Sequence, residues 1–329
     1  MKIVSLSAVL AVATAVLFAG CSGGSQSSNL GAFAVPPAAH RIPGYMLASG
    51  NDSRFLGGPS RLSPRFFSPT MAPDRRHRVR VEKEFFIADE GSNVFVFKNS
   101  TDTKVGDITS GITESDGVWV DKKGNVYVAN VLSNVVEYKK GAGSPLCTYS
   151  AGLTDPINGT TDSAGNVYVT DFEGGAVREY AQCSNTVKAT FSIEDPEGVA
   201  VDASGDVFVA AGTEFTEFIS GSPHLLGATV GAAAGLIIDK NRNLIADDQT
   251  GSIDLIAPPY TTATVLVSGL SDPFHCSLNA AENLLFNANH GSTTVTIYSY
   301  PSMSLVHTIT SGDGIDGAEG VGESPNAVF

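Results

Sequence analysis

The sequence predicts an all-β fold, a six-bladed β-propeller, from a repeat and from two chain ends that complement one another. The repeat is clearest in residues 117–138, GVWVDKKGNVYVANVLSNVVEY, where three short apolar segments are separated by turn residues. Gly-x-x-x-Asp segments, or degenerate copies of them, begin at Gly117, Gly159, Gly198, Gly235 and His275, at intervals of 37 to 42 residues. Four short strands at a period near 40 residues are typical of one propeller blade.

Each repeat continues with further strands in a fixed order. The second strands begin at Asn125, Asn166, Asp206, Asn243 and Asn283, and the third strands end at Tyr138, Tyr180, Phe218, Ile256 and Tyr298. A looser fourth strand follows, as in residues 146–150, 188–192 and 305–309. Because one small sheet cannot bury both of its faces, we expect the blades to pack around a common axis.

The two ends of the repeat region predict how the ring closes. Residues 85–97, FFIADEGSNVFVF, match the second and third strands of the unit but have no first strand before them. Residues 324–329, SPNAVF, match residues 195–201, DPEGVAV, and have nothing after them. We therefore expect residues 326–329 to pair with residues 85–88 as the inner strand of a split blade. Five whole blades and one split blade make six.

Two runs carry a resemblance to a known family. Residues 196–210, PEGVAVDASGDVFVA, and residues 116–138, DGVWVDKKGNVYVANVLSNVVEY, resemble NHL repeats, which build six-bladed propellers. The resemblance covers roughly residues 83–329 and implies the propeller domain, which we bound at residues 84–329.

The N-terminus has the pattern of a targeting segment. A positive charge at Lys2 precedes a short apolar stretch at residues 3–18, which is typical of a signal peptide and too short for a membrane span. Phe18-Ala19-Gly20-Cys21 resembles a bacterial lipobox, which implies that residues 1–20 are removed and that Cys21 carries lipid. An ordinary secretory signal with a chance cysteine is the alternative. A lipid anchor implies the cell envelope, at the periplasmic side of an outer membrane or the cell surface.

Residues 21–83 are predicted to be a disordered linker, because Gly, Ser, Pro and Ala dominate and no apolar period is present. Residues 1–83 carry ten Lys/Arg and three Asp/Glu, whereas the remainder carries ten Lys/Arg and 31 Asp/Glu. An acidic domain of this kind argues against nucleic-acid binding. The basic run at residues 75–80 is either a solvated part of the linker or a contact with anionic lipid or with the propeller.

Three cysteines remain besides Cys21. Cys147 and Cys183 lie near the outer strands of neighbouring repeats, 36 residues apart. An exported protein can pair such residues, but they are out of step with the repeat, so the sequence leaves their pairing open. Cys276 lies on an inner strand and is expected to be a small core residue.

Few segments indicate chemistry. HExxH, GxSxG, P-loop and CxxC motifs are absent, and the GDGIDG run at residues 312–317 precedes no helix. The acidic segment with Asp313, Asp316, Glu319 and Glu323 offers hard oxygen ligands, yet it lacks EF-hand spacing. We interpret it as a solvated closing loop.

The residue before each inner-strand glycine is expected at the mouth of the central channel. In order these residues are Asp116, Asn158, Glu197, Ala234, Phe274 and Asn326. Oxygen ligands from separate strands suit a hard divalent cation such as Ca²⁺. Asp116, Asn158, Glu197 and Asn326 are therefore candidate metal ligands. An ordinary polar mouth without cofactor is the simpler interpretation.

The mouth also leaves two classes of function open. Gluconolactonases and related lactonases are similar six-bladed propellers with a catalytic metal held by Glu, Asn and Asp at this place, and His275 is the nearby candidate base. A lyase like the streptogramin-opening propeller is a weaker third possibility. We interpret the protein as a monomeric, lipid-anchored binding or scaffold module for a protein or small molecule, with a metal-dependent lactonase as the alternative.

Overall fold

A computed structural model describes residues 83–90, 93–99 and 101–323. These residues form 24 strands in six four-stranded antiparallel sheets, which confirms the six-bladed β-propeller. Within the described ranges the only helical elements are two 3₁₀ turns, His290–Ser292 and Ser311–Asp313. No helix in this part of the chain is long and apolar enough to cross a membrane.

The strands are numbered β1–β24 in chain order, and each blade runs from an inner strand to an outer strand. The inner strands are β24 (Gly320–Glu323), β4 (Ser115–Val120), β8 (Pro156–Thr161), β12 (Pro196–Val201), β16 (Ala233–Ile238) and β20 (Pro273–Leu278). The second strands are β1 (Glu84–Asp89), β5 (Val126–Asn130), β9 (Val167–Asp171), β13 (Val207–Ala211), β17 (Leu244–Asp248) and β21 (Leu284–Asn289). The third strands are β2 (Asn93–Lys98), β6 (Asn134–Tyr138), β10 (Ala176–Tyr180), β14 (Glu214–Ile219), β18 (Ser252–Ile256) and β22 (Thr294–Ser299). The outer strands are β3 (Thr103–Ile108), β7 (Pro145–Tyr149), β11 (Val187–Ser192), β15 (Ser222–Thr229), β19 (Thr264–Ser268) and β23 (Leu305–Ile309).

The repeated aspartate holds the turn that follows each inner strand. Asp121 accepts hydrogen bonds from the backbone N–H groups of Lys123 and Asn125, both at 2.8 Å, and from the side chain of Asn125. The same pattern recurs from repeat to repeat, at Asp162, Asp202, Asp239 and Asn279. Asp and Asn suit this position because their short side chains can bond the backbone two residues further on.

The core lies between neighbouring blades. Where the first and last blades meet, Phe85 stacks on Phe97 at 5.2 Å between ring centroids and contacts Phe286 at 5.3 Å. All three rings are fully buried. Each such side chain contributes roughly 1.5–3 kcal/mol, so this seam is a large part of what holds the ring closed.

A C-terminal strand closes the first blade, as predicted, but its residues are not the predicted ones. β24 pairs with β1 in the register Phe85↔Glu323, Ile87↔Val321 and Ala88↔Gly320. The prediction that residues 326–329 pair with residues 85–88 is therefore wrong, and Asn326 lies outside the described residues. The physical reason is close packing against β4, because a Cβ atom on Gly322 would lie 2.9 Å from the carbonyl oxygen of Val118. The glycines of the segment GVG allow this close approach.

Cys147 and Cys183 form a disulfide with a Cα–Cα distance of 5.3 Å. Cys147 belongs to β7 of one blade and Cys183 to the connection after β10 of the next, so the bond joins the outer parts of two blades. Cys276 is a free, buried cysteine on β20, as expected from the sequence.

Candidate functional site

The six inner strands surround a narrow central channel. The cavity inside it has a volume of about 60 Å³ and is lined by inner-strand residues such as Trp119, Ile237 and Cys276. Pockets that enclose a small organic ligand are usually ~300–1,000 Å³. The channel therefore has room for a few water molecules but not for a metabolite.

One end of the channel is surrounded by the residues at which the inner strands begin, and we call this end the channel mouth. In ring order they are Glu319, Asp116, Asn158, Glu197, Ala234 and Phe274. Glu319 immediately precedes β24 and takes the position that the sequence assigned to Asn326. Four of these six residues are acidic or polar, whereas Ala234 and Phe274 make the remaining side apolar.

Asp116 lies beside His275 at the mouth. Oδ1 of Asp116 is 3.6 Å from Nδ1 of His275, whose side chain is almost fully buried. Within the described part of the chain, neither His275 ring nitrogen nor this Asp116 oxygen has a hydrogen-bond partner. Burial, reinforced by the charges of Glu319 and other carboxylates, raises the pKa of Asp116 well above its usual range. Burial lowers the pKa of His275 to about 3, so the imidazole is uncharged near neutral pH.

The other two predicted ligands at the mouth have partners. Oδ1 of Asn158 accepts a hydrogen bond from the backbone N–H of Gly159 at 2.8 Å. Glu197 accepts one from Nε2 of Gln249 at 3.0 Å. Burial, followed by the charges of Asp195 and Asp272, raises the pKa of Glu197 to about 7.

The side chains with metal-ligand chemistry converge elsewhere. Among the described residues, two groups of three His, Cys, Asp or Glu side chains bring their ligand atoms within 4.8 Å of one another. One contains Glu137 and the two disulfide cysteines, and the other contains Glu90, His290 and Glu319. Neither group includes Asp116 or Glu197. The carboxylates of the closing loop also diverge, because Asp313 caps Thr310 and Glu323 is buried in β24.

The group at Glu90, His290 and Glu319 lies on the rim of the mouth. Nδ1 of His290 is 2.9 Å from Oδ2 of Asp272, and its Nε2 is 3.3 Å from Oε1 of Glu319. The hydrogen bond with Asp272 is the main cause that raises the pKa of His290, and the Glu319 and Glu90 charges add to it. Phe274 packs near His290, with 6.2 Å between ring centroids.

A further carboxylate is buried near the inner strands. Asp247, on β17, is fully buried beside Cys276, and burial raises its pKa to about 8. The equivalent positions of three other blades carry Ala129, Thr170 and Ala210. Asp247 is thus an ionisable group that the repeat does not require.

The connections between strands separate the charges of the domain. At the mouth end, which we call the mouth face, lie the connections from second to third strands and from each outer strand to the next inner strand. Between residues 89 and 320 these connections contain no Lys or Arg, and their carboxylates are Glu90, Glu114, Asp155, Glu173, Glu194, Asp195, Asp272, Asp313, Asp316 and Glu319. The connections of the opposite face contain Lys122, Lys123, Lys139, Lys140, Lys240 and Arg242.

Sequence reasoning missed Glu90, Asp272 and His290 at the seam between the first and last blades, and it assigned Glu319 to a solvated closing loop. One signal was present, because residues 318–321, AEGV, match residues 196–199, PEGV, and place Glu319 level with Glu197. Glu90 and His290 lie in connections that differ from blade to blade, so no repeat pattern identifies them.

Comparison with known proteins supports the fold alone. No family model and no curated protein matches the chain. A solved chain from the nidogen/laminin complex is similar with a TM-score of 0.63 and 15% sequence identity. The similarity covers 75% of this chain and all of that chain. At this identity it shows a shared propeller architecture and does not transfer an activity.

Proposed function

We propose that this protein is a binding module and that its mouth face binds a positively charged segment of a partner protein. The observation that carries the proposal is the separation of charge, since the mouth-face connections contain ten carboxylates and no Lys or Arg. A surface of one sign raises the local concentration of oppositely charged partners and speeds their association.

Size and charge favour a protein over other ligands. The channel cavity of about 60 Å³ is too small for a metabolite, so a ligand bound at the mouth lies across the face instead of inside the channel. The acidic surface repels nucleic acid and anionic lipid headgroups. The similar solved chain comes from a complex of nidogen and laminin, which supports a protein partner only by analogy of fold.

The targeting segment at the N-terminus supports a location at the cell envelope. Lipid on Cys21 would hold the propeller at the cell envelope, with the linker between anchor and binding face. Each buried lipid CH₂ group contributes about 0.8 kcal/mol to membrane retention. Cys21→Ser is expected to move the protein from the membrane fraction to the soluble fraction. Wild-type protein that is already soluble would contradict the anchor.

The binding proposal is tested with an oligo-lysine peptide and two charge variants. Glu173 and Glu194 are exposed on the mouth face, whereas Glu84 and Asp102 lie at the opposite end of their blades. The double variant Glu173→Gln/Glu194→Gln is expected to weaken peptide binding by about fivefold, because exposed charge pairs contribute about 0.2–1 kcal/mol each. Glu84→Gln/Asp102→Asn removes the same charge and should leave affinity unchanged. Equal effects of the two variants, or binding that does not weaken with added salt, would contradict the proposal.

A divalent-metal-dependent lactonase is the second candidate, favoured by the buried Asp116–His275 pair with its unpartnered atoms. Asp116, Asn158 and Glu197 would hold the metal, and His275 would accept a proton. Lactone hydrolysis that requires Ca²⁺ or Mn²⁺ and is lost in Asp116→Asn would make this the leading function. Absence of hydrolysis with a panel of aliphatic lactones would exclude it for those substrates.

A further inference from the structure

Three side chains from separate connections meet where the ring closes. Glu90 lies in the connection after β1, His290 in the connection after β21, and Glu319 immediately before β24. Their ligand atoms lie within 4.8 Å of one another. Glu90 and Glu319 belong to the first blade and His290 to the last. The group therefore spans the seam that joins the two ends of the propeller.

Asp272 orients the imidazole of His290 so that its Nε2 atom faces Glu319. Its Oδ2 atom is 2.9 Å from Nδ1, so Nδ1 carries a proton and donates it to the carboxylate. When His290 is neutral, its other ring nitrogen, Nε2, has a lone pair and lies 3.3 Å from Oε1 of Glu319. A carboxylate that fixes the tautomer of a histidine is a common outer partner of metal-binding imidazoles.

The convergence of three ligand atoms favours a positive charge, which either a bound cation or the protonated imidazole of His290 supplies. A neutral imidazole nitrogen and two carboxylates repel one another at these distances, and the mouth-face connections contain no Lys or Arg that could neutralise them. Glu319 adds to the negative potential at neighbouring Asp116, whose buried Oδ1 has no hydrogen-bond partner in the described chain. A cation held by the group would lower the repulsion at both places.

The donor set identifies the class of cation. One imidazole nitrogen with two carboxylate oxygens suits zinc and similar first-row divalent ions better than Ca²⁺, which prefers six or more oxygen ligands. The side chain of His290 is 41% exposed and that of Glu319 is 14% exposed, so one side of the group is open to solvent. Three protein ligands with an open side match a site that keeps one position for water or another ligand.

We propose that Glu90, His290 and Glu319 form a binding site for a zinc-class divalent cation that joins the first and last blades. The site does not depend on the proposed binding of a basic partner. It differs from the ligand set predicted at Asp116, Asn158 and Glu197, and it lies on the rim of the mouth instead of over the channel.

The proposal is tested by metal titration of the full chain without an affinity tag and under non-reducing conditions. Calorimetry with Zn²⁺ is expected to show one saturable site, and Zn²⁺ is expected to raise the melting temperature because it binds only the folded state. Co²⁺ in place of Zn²⁺ should give visible absorption bands that are sensitive to the imidazole ligand. His290→Gln and Glu319→Gln should each weaken binding by at least about tenfold, the lower end of what loss of a supporting contact costs.

Two further variants make the result decisive. Glu90→Gln changes an exposed ligand and should weaken binding without affecting folding, which covers the case in which another variant fails to fold. Glu173→Gln removes a mouth-face carboxylate outside the group and should bind Zn²⁺ like the wild type. Absence of saturable Zn²⁺ binding, or equal binding by His290→Gln, Glu90→Gln and the wild type, would overturn the proposal. In that case His290 is a protonated partner of the surrounding carboxylates.

Discussion

The two ends of the channel use carboxylates in different ways. At the opposite face, Asp121, Asp162, Asp202 and Asp239 occupy one position of the repeat, and each accepts backbone hydrogen bonds from its own turn. Lys and Arg side chains also neutralise this face, as where Arg242 lies 2.7 Å from Asp202. These aspartates are part of the fold.

At the mouth face Glu114, Asp155, Asp195 and Asp272 recur directly before inner strands, but the other carboxylates of the connections do not share that position. Glu173 and Glu194, for example, are exposed and have no equivalent in most other blades. In this repeat protein, the acidic residues that stabilise the fold are those at positions that recur from blade to blade. Acidic residues that do not recur, and that gather at one end, require another explanation, and binding is the one we propose.

The largest effect is expected at the opposite face, from Asp239→Ala. Asp239 accepts hydrogen bonds from the backbone of Asn241 and Asn243 and from the hydroxyl of Tyr300 at 2.8 Å. Loss of this buried acceptor leaves several donors unpaired, at about 1–3 kcal/mol each, so we expect a total loss of about 3 kcal/mol or more. Urea denaturation of the variant and the wild type measures this difference in the free energy of unfolding.

The matched variant at the mouth face is Glu173→Ala. Its side chain is exposed, and a change of less than about 0.5 kcal/mol is expected. A loss in Glu173→Ala comparable to that in Asp239→Ala would remove the distinction between structural and non-structural carboxylates.

Asp247→Asn is expected to stabilise the protein. The folded-state pKa of Asp247 is about 8, above the ordinary value of 3.8, so the folded state holds a proton that the unfolded state has released. Stability is therefore fully present below about pH 4 and falls as the pH rises toward 8. Since one pKa unit corresponds to about 1.4 kcal/mol, and Asn retains part of the cost of burying a polar group, we expect a gain of about 2 kcal/mol at pH 7.

The pH dependence separates this explanation from a simple packing change. The gain in Asp247→Asn should fall steadily as the pH is lowered toward 4, where both the folded and the unfolded state of the wild type are protonated. A gain that is the same at pH 4 and pH 8 would mean that ionisation of Asp247 is not its cause.

Glu197→Gln should stabilise the protein as Asp247→Asn does, but by less. The pKa of Glu197 is raised to about 7 but the side chain is only partly buried, so solvent screens much of the cost. Thermal denaturation should show a small gain above pH 7 and none near pH 4. Destabilisation at pH 8 would indicate that the ionised carboxylate has a partner that stabilises it.

The blades could be predicted from the sequence because the residues that determine each blade lie within its own repeat. The turn aspartates, the apolar alternation and the period near 40 residues are local, so six sheets and the role of a C-terminal strand follow from them. The register of closure did not follow, because residues 196–199 resemble both the segment at Glu319 and the segment at Asn326. Gly320 and Gly322 allow β24 to approach β4 closely, and that contact is not local.

The candidate site was predicted in part for the same reason. Asp116, Asn158 and Glu197 were found because they share a repeat position. His290, Asp272 and Glu90 were not, because their meeting depends on how the first blade packs against the last. The pairing of Cys147 with Cys183 also depends on the distance between neighbouring blades, which sequence spacing does not give.

Binding of a positively charged segment at the mouth face is measured most directly by hydrogen–deuterium exchange in the presence of an oligo-lysine peptide. We predict slower exchange on peptide addition in mouth-face connections such as residues 172–175 and 193–195, reversed by high salt. The turns of the opposite face at residues 121–125 and 239–243 should exchange as before. Protection confined to the opposite face, or no protection at a peptide concentration that saturates binding, would contradict the account.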